Sequence, residues 1–172
     1  LAGSEIPVVP FPGPGAVWGS KNLKAIIVRG KGTTGISDPA RFASGLDQAL
    51  YLLKQAPVTK SVLRDLGSAG LVGLLNVIGM LPHRNFQDTE HKAEDLERVS
   101  GETLARTLFY EAGSCHLCPI GCRRRTSVTV KGRRRKGEGP DLETAMLLGP
   151  ACGIYDLEAI TLTGYRLNEL GL

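Results

Sequence analysis

The chain has 172 residues, 42% hydrophobic and 22% charged, with a formal net charge of +4. That is one domain's length with material for a core, and the balance excludes a disordered chain. No apolar run approaches the roughly 18 residues of a membrane span, and Pro7, Pro10, Pro12 and Pro14 break the only apolar start, so neither a membrane segment nor a signal peptide is expected.

Residues 7–20 are rich in proline and glycine and lead into "LKAIIVRG" (Leu23–Gly30), whose β-branched run reads as a strand. Ser37 is the expected N-cap of a first helix, with Pro39 in its first turn. Phe42, Leu46, Leu50 and Leu53 recur at helical spacing, and Pro57 ends the run. A short helix from Thr59 to Leu66 should stop at Gly67, followed by a nearly all-buried helix over "SAGLVGLLNVIG". Residues 79–98 are polar and read as a loop. Ser100 should then cap a helix running to about Ala112, with Gly113 as its stop. "TSVTVKG" (Thr126–Gly132) alternates as a strand does and turns within a basic cluster. Pro140 opens a helix across "DLETAMLLG", and Asp156 caps a last one through Leu157, Ile160, Leu167 and Leu170, closed by Gly171. The pattern is β-rich at the start and helical after residue 37.

Between the fourth and fifth of these helices lies "GSCHLCPIGCRR" (Gly113–Arg124), with three cysteines within eight positions; the fourth, Cys152, is thirty residues on. The spacing C-x2-C-x3-C suits soft metal ligands converging from one loop, and Gly113 and Gly121 ease the wrapping. Three readings stand on spacing alone. A [4Fe–4S] cluster takes a tight cysteine loop plus a distant ligand. A Cys3His zinc site recruiting His116 is less natural, because zinc ligands usually come as two separated pairs. Unligated buried cysteines are the third. The radical S-adenosylmethionine spacing runs in the reverse order and is excluded.

Eight basic residues and no acid lie between Arg123 and Lys136. They form either a solvated hairpin or an electrostatic dock for an acidic protein or a nucleic acid. No aromatics interleave them, which disfavours single-strand binding. His83 and His91 read as surface or hydrogen-bonded histidines rather than ligands.

The residues around these motifs resemble the aldehyde:ferredoxin oxidoreductase family of tungsten- or molybdenum-pterin enzymes. "GAVWGSKNLKAIIVRG" (Gly15–Gly30) looks like the close of its N-terminal pterin-binding β domain, and "GLVGLLNVIGMLPHRNFQ" (Gly70–Gln87) like the start of its helical part. "CHLCPIGCRR" looks like its cluster loop, "EGPDLETAMLLGPACGIYDLEAI" (Glu138–Ile160) like the segment after it, and "NELGL" (Asn168–Leu172) like half of a pterin-binding loop. The resemblance implies an α+β chain: residues 1–36 end a β domain, and residues 37–172 begin a mainly α-helical domain carrying the cluster loop.

It further implies a cytoplasmic enzyme with a bis-pterin tungsten or molybdenum centre, a [4Fe–4S] cluster and a magnesium ion bridging the pterin phosphates. Such an enzyme oxidises aldehydes to carboxylic acids. Its expected partners are the aldehyde, an acidic redox protein such as ferredoxin and further copies of itself, with no nucleic acid and no membrane. Cys115, Cys118 and Cys122 fall on the cluster ligands, and Cys152 reads as a buried thiol. Glu143 falls on the catalytic carboxylate, with Glu138 and Asp141 beside it; the plainer reading is a helix-start residue. Pro12, Gly13, Gly15, Ala16, Asn168, Gly171 and Leu172 fall on the pterin site.

The sequence departs from the family at Phe11 and Pro12, where arginine and a small residue are expected. It departs again at Pro14, which lacks an N–H, and at Asn168, where aspartate is usual. The other expectations are a fragment whose fourth cluster ligand lies on a second pterin loop of a several-fold longer protein, an electron-transfer module without pterin, or a zinc-stabilised nucleic-acid-binding domain.

Overall fold

A computed structural model describes residues 15–88 and 91–171. Helix α1 (Gly15–Ser20) opens this part, and residues 23–36 follow without regular secondary structure. The strand expected over Leu23–Gly30 does not form. An extended segment becomes a strand only by pairing its backbone groups, and among the described residues nothing pairs with it; Ile27 and Val28 are 93% and 85% exposed.

Helix α2 (Pro39–Gln55) follows the predicted span, but its cap is Asp38, not Ser37. The Asp38 carboxylate accepts from the Arg41 N–H at 2.9 Å, as an N-cap should. A π-helix spans Val58–Leu66 and stops at Gly67. The next segment divides into a 3₁₀ turn (Ser68–Leu71) and α3 (Val72–Val77), and only Ala69 and Val72 are buried in it. The expectation of burial all round is therefore corrected: Val77 is 82% exposed. Within the expected loop the structure has α4 (Ala93–Arg98).

Ser100 caps α5 (Gly101–Thr107), accepting from the Thr103 N–H at 3.1 Å. The helix ends six residues before Gly113, because Phe109–Gly113 becomes strand β1. β1, β2 (Arg123–Val130) and β3 (Arg133–Glu138) form one antiparallel sheet in sequence order. Among the described residues the sheet therefore lies mid-chain. After it come α6 (Leu142–Leu148), a 3₁₀ turn (Pro150–Cys152) and α7 (Leu157–Leu170), which Asp156 caps and Gly171 closes.

Along β2 the side chains alternate, with Arg124, Thr126 and Val128 buried. Val128 joins Ala69, Leu104, Leu108 and Leu157 in the core, against which Phe109 and Leu162 pack. α7 is tied to the sheet where Tyr165 Oη lies 2.7 Å from Thr126 Oγ1. Among the described residues no helix is long and apolar enough to cross a membrane.

Candidate metal and cofactor site

Gly113 and Arg123 pair across β1 and β2, so the cysteine motif is the loop of that hairpin, residues 114–122. Its start is tightened where the Cys118 N–H donates to the Cys115 carbonyl at 3.0 Å. Leu117 and Gly121 take positive φ, 57° and 70°, the latter at no steric cost. All four cysteines are free thiols; Cys115 is exposed, Cys118 and Cys122 half-buried. Cys152 is exposed as well, correcting the buried reading. It sits in the surface 3₁₀ turn after α6 and hydrogen-bonds the Leu147 carbonyl at 3.2 Å.

The loop thiols feel one another. Burial pushes the Cys122 thiol up, and Asp141, Cys118 and Cys115 add to this against a lowering backbone hydrogen bond. Three soft donors in one hairpin loop fit a metal–sulfur centre by their chemistry. Among the described residues no three His, Cys, Asp or Glu side chains already stand as a closed metal-binding group.

Behind the loop, Arg124 is 2% exposed. Its Nη2 donates to the carbonyls of Leu63 at 2.9 Å and Gly121 at 3.1 Å, and also to that of Arg64. Its guanidinium stands 5.1 Å over the Phe109 ring. Burial lowers the guanidinium's hold on its proton, with Cys122 and Asp65 opposing.

The carboxylates gather at the other side. Glu138 forms a two-pronged ion pair with Arg123. Asp141 occupies the N-cap position of α6 without a side-chain cap bond, and Ser68 Oγ accepts from the Leu142 N–H instead, at 3.0 Å. Burial pushes the Asp141 carboxyl up, with Glu138 and Glu143 adding and Arg123 opposing. Glu143 is half-buried in the first turn of α6, close enough to act on Asp141.

Of the pterin-site expectations, Pro12, Gly13 and Leu172 lie outside the described residues. The others meet. The Ala16 N–H donates to the Gly171 carbonyl at 3.3 Å, and Asn168 is linked to Gly171 through its carbonyl, which accepts the Gly171 N–H at 3.1 Å. A β-carbon on Gly15 would stand 3.2 Å from the Gly171 Cα. Two segments far apart in sequence are thus in backbone contact.

A family model described as aldehyde ferredoxin oxidoreductase, domains 2 & 3, matches residues 46–172. The chain belongs to the aldehyde ferredoxin oxidoreductase family. It is 37% identical over 160 residues to the tungsten-containing aldehyde ferredoxin oxidoreductase of Pyrococcus furiosus and 36% identical over 162 residues to that of Thermococcus kodakarensis. It is 28% identical over 167 residues to a P. furiosus protein called aliphatic sulfonate oxidoreductase, WOR-like subunit. These alignments cover 93–94% of the chain and 26% of each relative, so the chain spans about a quarter of their length.

In this chain the basic run is a hairpin with most of its charges engaged. Arg125 pairs with Glu111 at 3.0 Å and Arg135 with Glu169 at 2.9 Å. Arg134 and Lys136 stand over the Tyr110 ring at 5.7 and 5.1 Å. Lys131 and Arg133 flank the turn, and among the described residues their side chains have no hydrogen-bond or ion-pair partner. His91 bonds Tyr155 Oη at 3.1 Å through Nδ1 and stacks on His83 with centroids 4.6 Å apart. Arg124 was hidden in the sequence among its basic neighbours. Extending the alternation of "TSVTV" back by two residues places it on the buried face of β2.

Proposed function

We propose that the full-length protein is a tungsten- or molybdenum-pterin oxidoreductase that oxidises aldehydes to carboxylic acids and passes the electrons through a [4Fe–4S] cluster to ferredoxin. The observation that carries this is the β1–β2 loop: three free cysteines, in a chain of this family, on the loop that the resemblance assigns to the cluster. The names of the two tungsten-containing relatives point to tungsten, aldehydes and ferredoxin. When bound, the metal–pterin group would take two electrons from the aldehyde, and the cluster would hand them on singly.

The chain's own residues would do the following. Cys115, Cys118 and Cys122 hold the cluster, with a fourth ligand from another part of the protein. Gly13, Gly15 and Ala16 let the backbone approach the pterin phosphates and their magnesium, beside Pro12. Asn168, Gly171 and Leu172 lie against the pterin from the other segment. Glu143 receives or returns a proton at its carboxylate during oxidation, assisted by its place in a partly closed, acidic corner with Asp141. Lys131 and Arg133 attract the acidic redox partner. Residues 1–36 belong to the pterin-binding β domain and 37–172 to the helical domain, and the protein works in the cytoplasm as a homo-oligomer.

A second reading, a cluster protein that has lost the pterin, is favoured by Phe11, Pro12 and Pro14. Anaerobic purification of the full-length protein, with metal analysis and an assay of aldehyde-dependent ferredoxin reduction, separates the two. Iron with tungsten or molybdenum and turnover supports the first. Iron alone supports the second, and zinc without iron overturns both.

A further inference from the structure

Arg124 presents a buried charge that the fold does not balance. At 2% exposure it has no ion-pair partner among the described residues. Its Nε is buried and makes no hydrogen bond. An isolated buried cation is costly and is normally paired, and an orphaned buried polar atom calls for an explanation. Part of the compensation is visible. Nη2 meets carbonyls at the C-terminal end of the π-helix, where backbone dipoles favour a cation, and the Phe109 face adds its quadrupole. These are dipoles, not a counter-charge.

The same side chain reaches the cysteine loop directly by donating to the Gly121 carbonyl, next to Cys122. It leaves no slack: a β-carbon on Gly67 would meet Arg124 Cγ at 2.7 Å and the Cys122 carbonyl at 2.9 Å. The guanidinium is therefore fixed against the π-helix and the loop at once. A cluster on three or four thiolates carries negative charge, which grows by one on reduction. A fixed cation beside it stabilises the reduced form more than the oxidised form and raises the reduction potential, one of the recognised controls on such centres.

We propose that Arg124 is a positioning residue that supplies the buried counter-charge of the cysteine loop, holding the Gly121–Cys122 segment in place and raising the reduction potential of the metal–thiolate centre built on Cys115, Cys118 and Cys122. This rests on reading that loop as the cluster site.

The test uses the full-length protein, purified anaerobically, as wild type, Arg124→Lys and Arg124→Met. Iron content, far-UV circular dichroism and the cluster's midpoint potential from a redox titration followed by electron paramagnetic resonance are measured. The expected result is iron retained in all three, a midpoint near wild type for Arg124→Lys, and a clear shift to lower potential for Arg124→Met. A purely structural clamp would lower the melting temperature of both variants and leave the potential in place. Iron retained in Arg124→Met at an unchanged midpoint overturns the proposal. If Arg124→Met does not fold, the neutral hydrogen-bonding variant Arg124→Gln decides: iron at a lower midpoint supports the counter-charge, and iron at the wild-type midpoint overturns it. Wild type without iron would instead sink the cluster reading itself.

Discussion

Gly67 and Arg124 meet with no room for another carbon between them. Gly67 holds φ 75°, ψ −173°, a region open essentially to glycine alone, and Arg124 Cγ lies 2.7 Å from where its β-carbon would be. Gly67→Ala is therefore expected to cost about 1–3 kcal/mol through backbone strain alone. It should also lower iron content, since the backbone carbonyl of Cys122, one of the loop cysteines, must move. Gly32→Ala, with nothing within 4 Å of its β-carbon, is the control and should stay within about 0.5 kcal/mol of wild type. Thermal melts and iron analysis of the two variants check this.

Glu143→Gln is expected to lower aldehyde turnover by about 10²–10⁴-fold while metal content stays at the wild-type level. Near-normal turnover would leave Glu143 as a helix-start residue. Asp141 would then be the next carboxylate to vary, because Glu138 is already engaged by Arg123.

Asp141 sets a pH dependence whose sign follows from its surroundings. Burial, then Glu138 and Glu143, push its carboxyl up in the folded protein, while an unfolded chain titrates near 3.9. The folded state therefore binds this proton more tightly. The stability that the proton contributes is complete below about pH 3.9 and is lost as pH rises through the raised folded value. Over the range upward from pH 4, the melting temperature of wild type should fall relative to that of Asp141→Asn. Parallel curves for the two proteins would contradict the assignment.

At the hairpin turn the two cations whose side chains have no partner among the described residues carry the docking prediction. β2 has 8 residues, so at about 3.4 Å each its far end stands roughly 27 Å from the cysteine loop. Lys131 and Arg133 should thus act on the encounter with an acidic partner and not on electron passage itself. Reversing both to Glu should slow ferredoxin reduction at low salt, with the difference fading as ionic strength shortens the screening length to about 10 Å at 0.1 M. A salt-independent deficit, or none, would return the turn to a merely solvated hairpin.

What the sequence disclosed was mostly local. The Asp156 and Ser100 caps, the Gly171 stop and the alternation of β2 each rest on a few neighbouring residues, and the structure has them. β1 escaped because its pairing is non-local: Phe109–Gly113 becomes a strand only by meeting β2 across the cysteine loop. Leu23–Gly30 failed for the opposite reason, having strand-forming residues and no partner among the described ones. Cys152 was misread because burial of free cysteine is a general tendency, whereas its position in the turn after α6 leaves the thiol open. Arg124 was legible only as one charge among eight; that it points inward depends on strand register, which composition cannot convey.

The central claim is that the β1–β2 loop holds the metal and Cys152 does not. Iron content of the full-length protein, purified anaerobically as wild type, Cys118→Ala and Cys152→Ala, tests it most directly. The account predicts that Cys118→Ala loses iron while Cys152→Ala keeps the wild-type amount. Full iron in Cys118→Ala, or equal loss in both variants, would contradict it.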